Sequence, residues 1–185
     1  TLLCKDLSLS IKQGEHLIIE GSNGCGKSSL RRVLCGLWPL CSGTLRKPAL
    51  NSHNLFYVPQ RPYFPPGSLR AQLLYPHEEP QKIDPKLDKK LEHYMDMVGL
   101  PHLVGREGGW DTQRDWHDIL SGGEKQRMAM ARLFYHRPMF AVLDEATAAV
   151  SVDIEASLVS QCRAIGITMI SISHRPQLRQ YHTKR

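Results

Sequence analysis

Apolar positions change period along the chain, and each change marks an element. "GEHLIIEG" (14–21) is a turn followed by a short apolar run that ends in glycine, which predicts a buried strand. In "KSSLRRVLCGLW" the apolar residues Leu30, Val33, Leu34 and Leu37 recur at helical spacing, so a strand–loop–helix unit surrounds the intervening glycines. "NLFYVPQ" (54–60) predicts a second strand stopped by Pro59, and the proline-rich "RPYFPPGS" that follows can continue neither sheet nor helix. From residue 68 to about 120 the pattern predicts polar-faced helices. Leu87, Leu91, Tyr94, Met95 and Val98 mark an amphipathic one that "VGLPH" terminates. A helix beginning after Ser121 runs to Pro138. Strand "FAVLD", a helix near "VDIEASLVSQCRA" and the β-branched strand "GITMISIS" complete the series.

Strands alternating with helices on both sides of a helical stretch predict an α/β fold with a mainly parallel sheet. The expected division is a core formed by 1–60 and 137–185, with 61–136 as an inserted helical subdomain. A chain of 185 residues with 41% hydrophobic and 23% charged residues fits one folded domain. No apolar run nears the roughly 18 residues that a membrane helix needs. The formal charge of +6 does not predict nucleic-acid binding, because Lys and Arg are scattered and alternate with acids in "PQKIDPKLDKKLEHYMD". The 5 cysteines, Cys4, Cys25, Cys35, Cys41 and Cys162, form no CxxC pair. They argue against a disulfide framework or a zinc site and for a reducing compartment. The chain opens on "TLLCKDLSLSI" without a leader pattern and closes on "YHTKR", which suggests a piece of a longer polypeptide lacking strands at both ends.

"GSNGCGKS" (21–28) fits G-x-x-x-x-G-K-[ST] without a gap, between a predicted strand and a predicted helix. The run Gly21, Ser22, Asn23, Gly24, Cys25, Gly26, Lys27, Ser28 and the adjoining Ser29 is therefore a candidate nucleotide site. Its glycines permit a loop whose amides encircle phosphate oxygens, Lys27 reaches the outer phosphates and the Ser28 hydroxyl meets Mg²⁺. "FAVLDEAT" (140–147) ends an apolar strand on two acids. Asp144 suits the metal shell, and Glu145 can orient or deprotonate an attacking water. His174 ends the strand in "ISISHRP" at the sheet edge where such folds bind ligands, which makes it a candidate γ-phosphate contact. Gln60 ends another strand, and its amide can reach both metal and water. In "LSGGEKQR" (120–127), Ser121 and Glu124 form a capping box, while Gly122 and Gly123 leave the first helix amides open to close approach.

Five ordered motifs, "GSNGCGKS", "YVPQRP", "LSGGEKQ", "VLDEAT" and "SISHR", resemble those of an ABC-type ATPase nucleotide-binding domain across nearly the whole chain. The resemblance implies a RecA-like P-loop core with a helical subdomain, ATP and Mg²⁺ as cofactors, and head-to-tail pairing with a second ATP-binding domain. Ser121, Gly122 and Gly123 would then contact the partner's ATP. "GSNGCGKSSLRRVLCGLWP", "FYVPQRPYFPPGSLRAQLLYP" and "DWHDILSGGEKQRMAMARLFYHRP" more closely resemble class D, the peroxisomal half-transporters related to the adrenoleukodystrophy protein. That class implies ATP-driven import of fatty acyl-CoA or related fatty acids. It also implies transmembrane helices before Thr1, a peroxisomal membrane location with this domain facing the cytosol, and an adenine-stacking aromatic upstream of Thr1. Ser151 stands where the loop after the catalytic acid usually carries aspartate, a variant that class D shares. A soluble ABC ATPase acting on nucleic acid or ribosomes is the alternative, opposed by the absence of a long coiled-coil insertion or a second cassette in the sequence.

Overall fold

A computed structural model describes residues 7–22 and 24–185; the expectations for Asn23 and Cys4 lie outside the described residues. The elements are β1 (Leu17–Ile19), α1 (Lys27–Leu34), β2 (Leu55–Val58), α2 (Leu69–Leu74), α3 (Pro85–Met97), α4 (Pro101–Glu107), α5 (Trp116–Ile119), α6 (Gly122–His136), β3 (Phe140–Asp144), α7 (Val152–Ala164) and β4 (Thr168–Ile172), followed by a 3₁₀ turn at Pro176–Tyr181. The 4 strands form one parallel sheet in the order β1-β4-β3-β2. Buried on both faces, β3 reads as an apolar run up to Asp144, and β4 is buried throughout although it contains Thr168 and Ser171. Register places Ile172 of β4 between Ile19 of β1 and Asp144 of β3. The loop after β1, the acids ending β3 and the residues after β4 therefore leave the same edge of the sheet side by side.

Two elements differ from the sequence pattern. The helix after the glycine loop stops at Leu34, and Leu37 is 65% exposed. Gly36 at φ 71° turns the chain just beyond the helix, so the helical spacing of Leu37 has no helix to act on. Within 68–120, α3 has the expected polar face with Leu91, Tyr94 and Met95 buried, whereas α2 does not. In α2, Leu69, Arg70, Gln72, Leu73 and Leu74 are all buried. Arg70 can be buried there because Glu79, Asp88 and Asp111 surround its guanidinium. Among the described residues, no helix is long and apolar enough to cross a membrane.

Helix α6 is the spine that joins the helical region to the sheet. Its side chains Met128, Met130, Leu133 and Phe134 are wholly buried, and it packs on α2, α3 and β2. Arg132, stacked on Phe64 and Tyr75, donates to the carbonyls of Gln72 and Tyr63. Burial pushes its pKa down to about 10. At the helix end His136 stacks on Phe56 of β2 and meets His77 edge-on, while its Nε2 donates to the Tyr75 carbonyl at 2.9 Å. Burial pushes the His136 pKa down to about 4, so the folded protein keeps this ring neutral.

The unfolded chain takes up the His136 proton near pH 6.5, so stability is complete above that pH and falls as pH drops towards 4. At pH 5 the expected loss is about 2 kcal/mol. Urea unfolding at pH 7.5 and pH 5 measures it, and His136→Gln should flatten this part of the pH slope.

Candidate active site

The glycine loop is built by backbone conformation. Gly24 and Gly26 have φ of 84° and 104°, and Gly26 caps α1 without a side chain, so the first helix amides face outward unhindered. Gly21 is required for another reason: a Cβ there would lie 2.7 Å from Cys25 Sγ. The Lys27 side chain is buried beneath the loop and its ammonium donates to the Gly21 and Ser22 carbonyls at 2.7 and 2.9 Å. These bonds hold the cation against the loop from which it would reach phosphate.

Beside this loop lies an open cavity of about 210 Å³ lined by Gly24, Gly26, Lys27, Ser28, Ser29, Asp144, Glu145, Ile172 and His174. Glu145 is one of its lining residues. Its backbone takes the left-handed conformation, φ 46°, and its N–H donates to the Ile172 carbonyl at 2.9 Å. A non-glycine residue in that region stores strain that the surroundings must hold. Two separate loops approach its carboxylate. Gln60 Nε2 donates to Oε2 at 2.8 Å, and His174 Nε2 lies 3.5 Å from Oε1. Gln60, Glu145 and His174, each just beyond the end of a different strand, thus come together. Gln60 reaches the site through Glu145 rather than by lining the cavity.

Asp144 is held differently. Its Oδ2 accepts from the Arg31 guanidinium and from the Tyr57 hydroxyl, the latter at 3.1 Å. Burial first and the Asp144 charge second push the Tyr57 pKa up to about 12, so the phenol keeps the proton it donates. The Ser28 hydroxyl and the Asp144 carboxylate form an oxygen set that fits a hard divalent cation such as Mg²⁺. Among the described residues no group of three or more His, Cys, Asp and Glu could hold a metal alone. The fit is accordingly to a cation shared with phosphate oxygens, as Mg²⁺ in nucleotide sites is.

Ser121, Gly122 and Gly123 lie outside this cavity. Ser121 caps α6 in a full capping box: its hydroxyl accepts from the Glu124 N–H, and the Glu124 carboxylate accepts from the Ser121 N–H. The two glycines are not equivalent. A Cβ on Gly123 would come within 3.1 Å of the Ala149 carbonyl oxygen, whereas on Gly122 it would make an ordinary 3.8 Å contact. Packing against the 145–151 loop thus explains Gly123, while exposed Gly122 has no such internal reason.

Sequence reasoning missed four residues that organise the site. Arg31 follows Lys27 by one helical turn, a spacing that places both on one face. Tyr57 lies inside a strand, where nothing distinguishes it from a core aromatic. Gln126, one turn below Gly122, is buried and donates to the Gln60 and Glu145 carbonyls, both at 3.3 Å, while accepting from Ala149 N–H at 2.6 Å. Arg175 adjoins His174 and donates to the Val150 and Ala148 carbonyls and to Glu155. Glu155 also accepts from Thr147 Oγ1. The loop between Glu145 and Ser151 is therefore clamped from the α6 side by Gln126 and from the β4 side by Arg175. A buried glutamine in "EKQR" was the available signal for the first clamp.

Comparison with known proteins supplies the family. A family model described as ABC transporter matches residues 4–148. The mouse (Mus musculus) protein "ATP-binding cassette sub-family D member 3" is 56% identical over 182 residues, covering 98% of this chain and 27% of that protein. The mouse "Lysosomal cobalamin transporter ABCD4" is 43% identical over 185 residues, covering 98% of this chain and 30% of that protein. Among solved structures, a bacterial Atm1-family ABC exporter with ATP bound superposes with a TM-score of 0.74 at 25% identity, over 92% of this chain and 31% of that one. The chain thus spans under a third of the length of these relatives.

Proposed function

The chain belongs to the ABC transporter family, within sub-family D, and on that premise we propose that it is the ATP-hydrolysing domain of a half-transporter moving fatty acyl-CoA or related fatty acids into peroxisomes. One observation carries the hydrolytic reading: Glu145, in a strained backbone conformation beside the phosphate loop, has its carboxylate bound by Gln60 and approached to 3.5 Å by His174 from two other loops. A carboxylate fixed in this way can accept a hydrogen bond from water and take its proton as the γ-phosphorus is attacked in line. Lys27 and the loop amides of Gly24 and Gly26 would hold the phosphates, since phosphoryl transfer depends mostly on positioning and electrostatics. Ser28 and Asp144 would hold Mg²⁺, and Gln60 would join them only by leaving its bond to Glu145. Bound there, the ion would supply positive charge to neutralise the phosphates. His174 would contact the γ-phosphate from the far side of Glu145.

Ser121 and Gly122 serve a second nucleotide in this account. A capped helix start with its first residues exposed is an anion site, yet it lies outside the chain's own cavity. Its phosphate would come from the ATP of a partner domain, and the partner's helix would serve this chain's ATP. The clamp of Gln126 and Arg175 on the 145–151 loop would transmit closure of that interface to Glu145. Membrane helices in the parent protein would convert closure and release into transport at the peroxisomal membrane, with this domain on the cytosolic side.

The likeness to sub-family D member 3 and the class D motifs support the lipid substrate. The lysosomal cobalamin transporter among the relatives favours a second reading, cobalamin as cargo. The full protein in proteoliposomes distinguishes them. Long-chain acyl-CoA should raise its Mg²⁺-dependent ATPase rate several-fold while cobalamin leaves it unchanged; stimulation by cobalamin alone would reverse the assignment.

A further inference from the structure

Asp144 is the only acid of the site paired with a fixed cation among the described residues. Arg31 Nη1 reaches Asp144 Oδ2 and also donates to the Tyr57 hydroxyl at 3.0 Å. Both partners are largely enclosed, with side-chain exposures of 19% for Arg31 and 12% for Asp144. Arg31 Nε is buried without a hydrogen-bond partner. Among the described residues the guanidinium is held by Asp144 and Tyr57, with its Nε unpaired. Burying an arginine in that manner is unfavourable unless its charge has a use.

Two features separate the charge of Arg31 from its role as a support. Tyr57 donates to the same Oδ2 atom, so the carboxylate keeps an anchor when Arg31 is removed. No protein donor reaches Oδ1 among the described residues, and Asp144 lines the cavity. The contribution peculiar to Arg31 is thus one positive charge against a carboxylate that the account above assigns to Mg²⁺.

We propose that Arg31 is an internal counter-cation that competes with Mg²⁺ for Asp144 and so holds down the metal affinity of the nucleotide site. The inference rests on the reading of Asp144 and Ser28 as the metal side of that site. Before nucleotide arrives, Arg31 neutralises Asp144 and divalent ions gain little from binding. The phosphates of ATP add the negative charge that tips the balance, so metal enters with nucleotide rather than ahead of it. A unit charge a few ångströms from a divalent ion, at an effective dielectric of about 20, is more than sufficient to change the binding constant about tenfold.

Mn²⁺ is the probe, because its electron paramagnetic resonance signal reports bound metal without turnover. The full protein is titrated with Mn²⁺ with and without a non-hydrolysable ATP analogue. Arg31→Met should lower the Mn²⁺ midpoint about tenfold and allow metal to bind without nucleotide. Arg31→Lys and Tyr57→Phe, which keep the cation, should stay near the parent midpoint. Should Arg31→Met fail to fold, Arg31→Gln removes the same charge and should show the same shift. An unchanged or higher midpoint in the neutral variants overturns the proposal, since Arg31 would then be a support or irrelevant to the metal. A parent protein whose analogue binding ignores Mn²⁺ altogether would instead overturn the metal assignment of Asp144 and Ser28.

Discussion

Glu145→Gln is expected to lower the ATP turnover of the full protein about a thousandfold while ATP binding stays near the parent value. Removing a general base typically loses a factor of 10² to 10⁴, and this substitution removes proton acceptance with almost no change of shape. The fold should tolerate it. Glu145 is held in the left-handed conformation by its N–H bond to the Ile172 carbonyl and by Gln126 on its own carbonyl, contacts that involve no carboxylate. ATP affinity should persist because Lys27, Ser28 and the loop glycines that hold phosphate are separate from it. Pre-steady-state phosphate release together with nucleotide-binding fluorescence measures the two effects independently. Turnover within tenfold of the parent would remove Glu145 from the role of base.

Gly122→Asp should abolish ATP-dependent closure between two domains, a loss of at least a hundredfold in ATP-induced association, with ATP affinity of the single domain unchanged. Open space at Gly122, where a Cβ meets only Ala149 Cβ at 3.8 Å, means that the side chain fits without rearranging α6. An added carboxylate at a helix start also suits the dipole, so thermal stability should hold. What it opposes is an incoming phosphate, by like charge at close range. Gly123 is the poorer test, because its Cβ would press on the Ala149 carbonyl at 3.1 Å and disturb the 145–151 loop within the same chain.

Local signals were legible where an element carries its own punctuation. The phosphate loop announced itself by glycines at Gly21, Gly24 and Gly26, each with positive φ in the structure. Ser121 and Glu124 announced the start of α6. Strand β3 was visible as an apolar run and β4 by its β-branched residues. Long-range pairings were not legible. Arg31 meets Asp144 across 113 residues of chain, and Arg132 reaches Tyr63 across 69, so no window contains both partners. Burial of Arg70 inside α2 was hidden because its acids come from three separate segments, 9, 18 and 41 residues further along the chain. Leu37 shows the converse failure: its spacing was right for a helix that Gly36 had already ended.

The central claim is that Ser121 and the phosphate loop belong to the same active site only when they come from two different chains. Cys25, an exposed free thiol in the loop, allows a direct measurement in the full protein. A Ser121→Cys, Glu145→Gln variant is oxidised with and without ATP and Mg²⁺, and its mass is read on a non-reducing gel, with Cys25→Ser as the control. A disulfide-linked dimer that forms only with ATP, and disappears in the Cys25→Ser control, is the predicted result. Bound nucleotide without any link between chains, or a link that closes within a single chain, would contradict it.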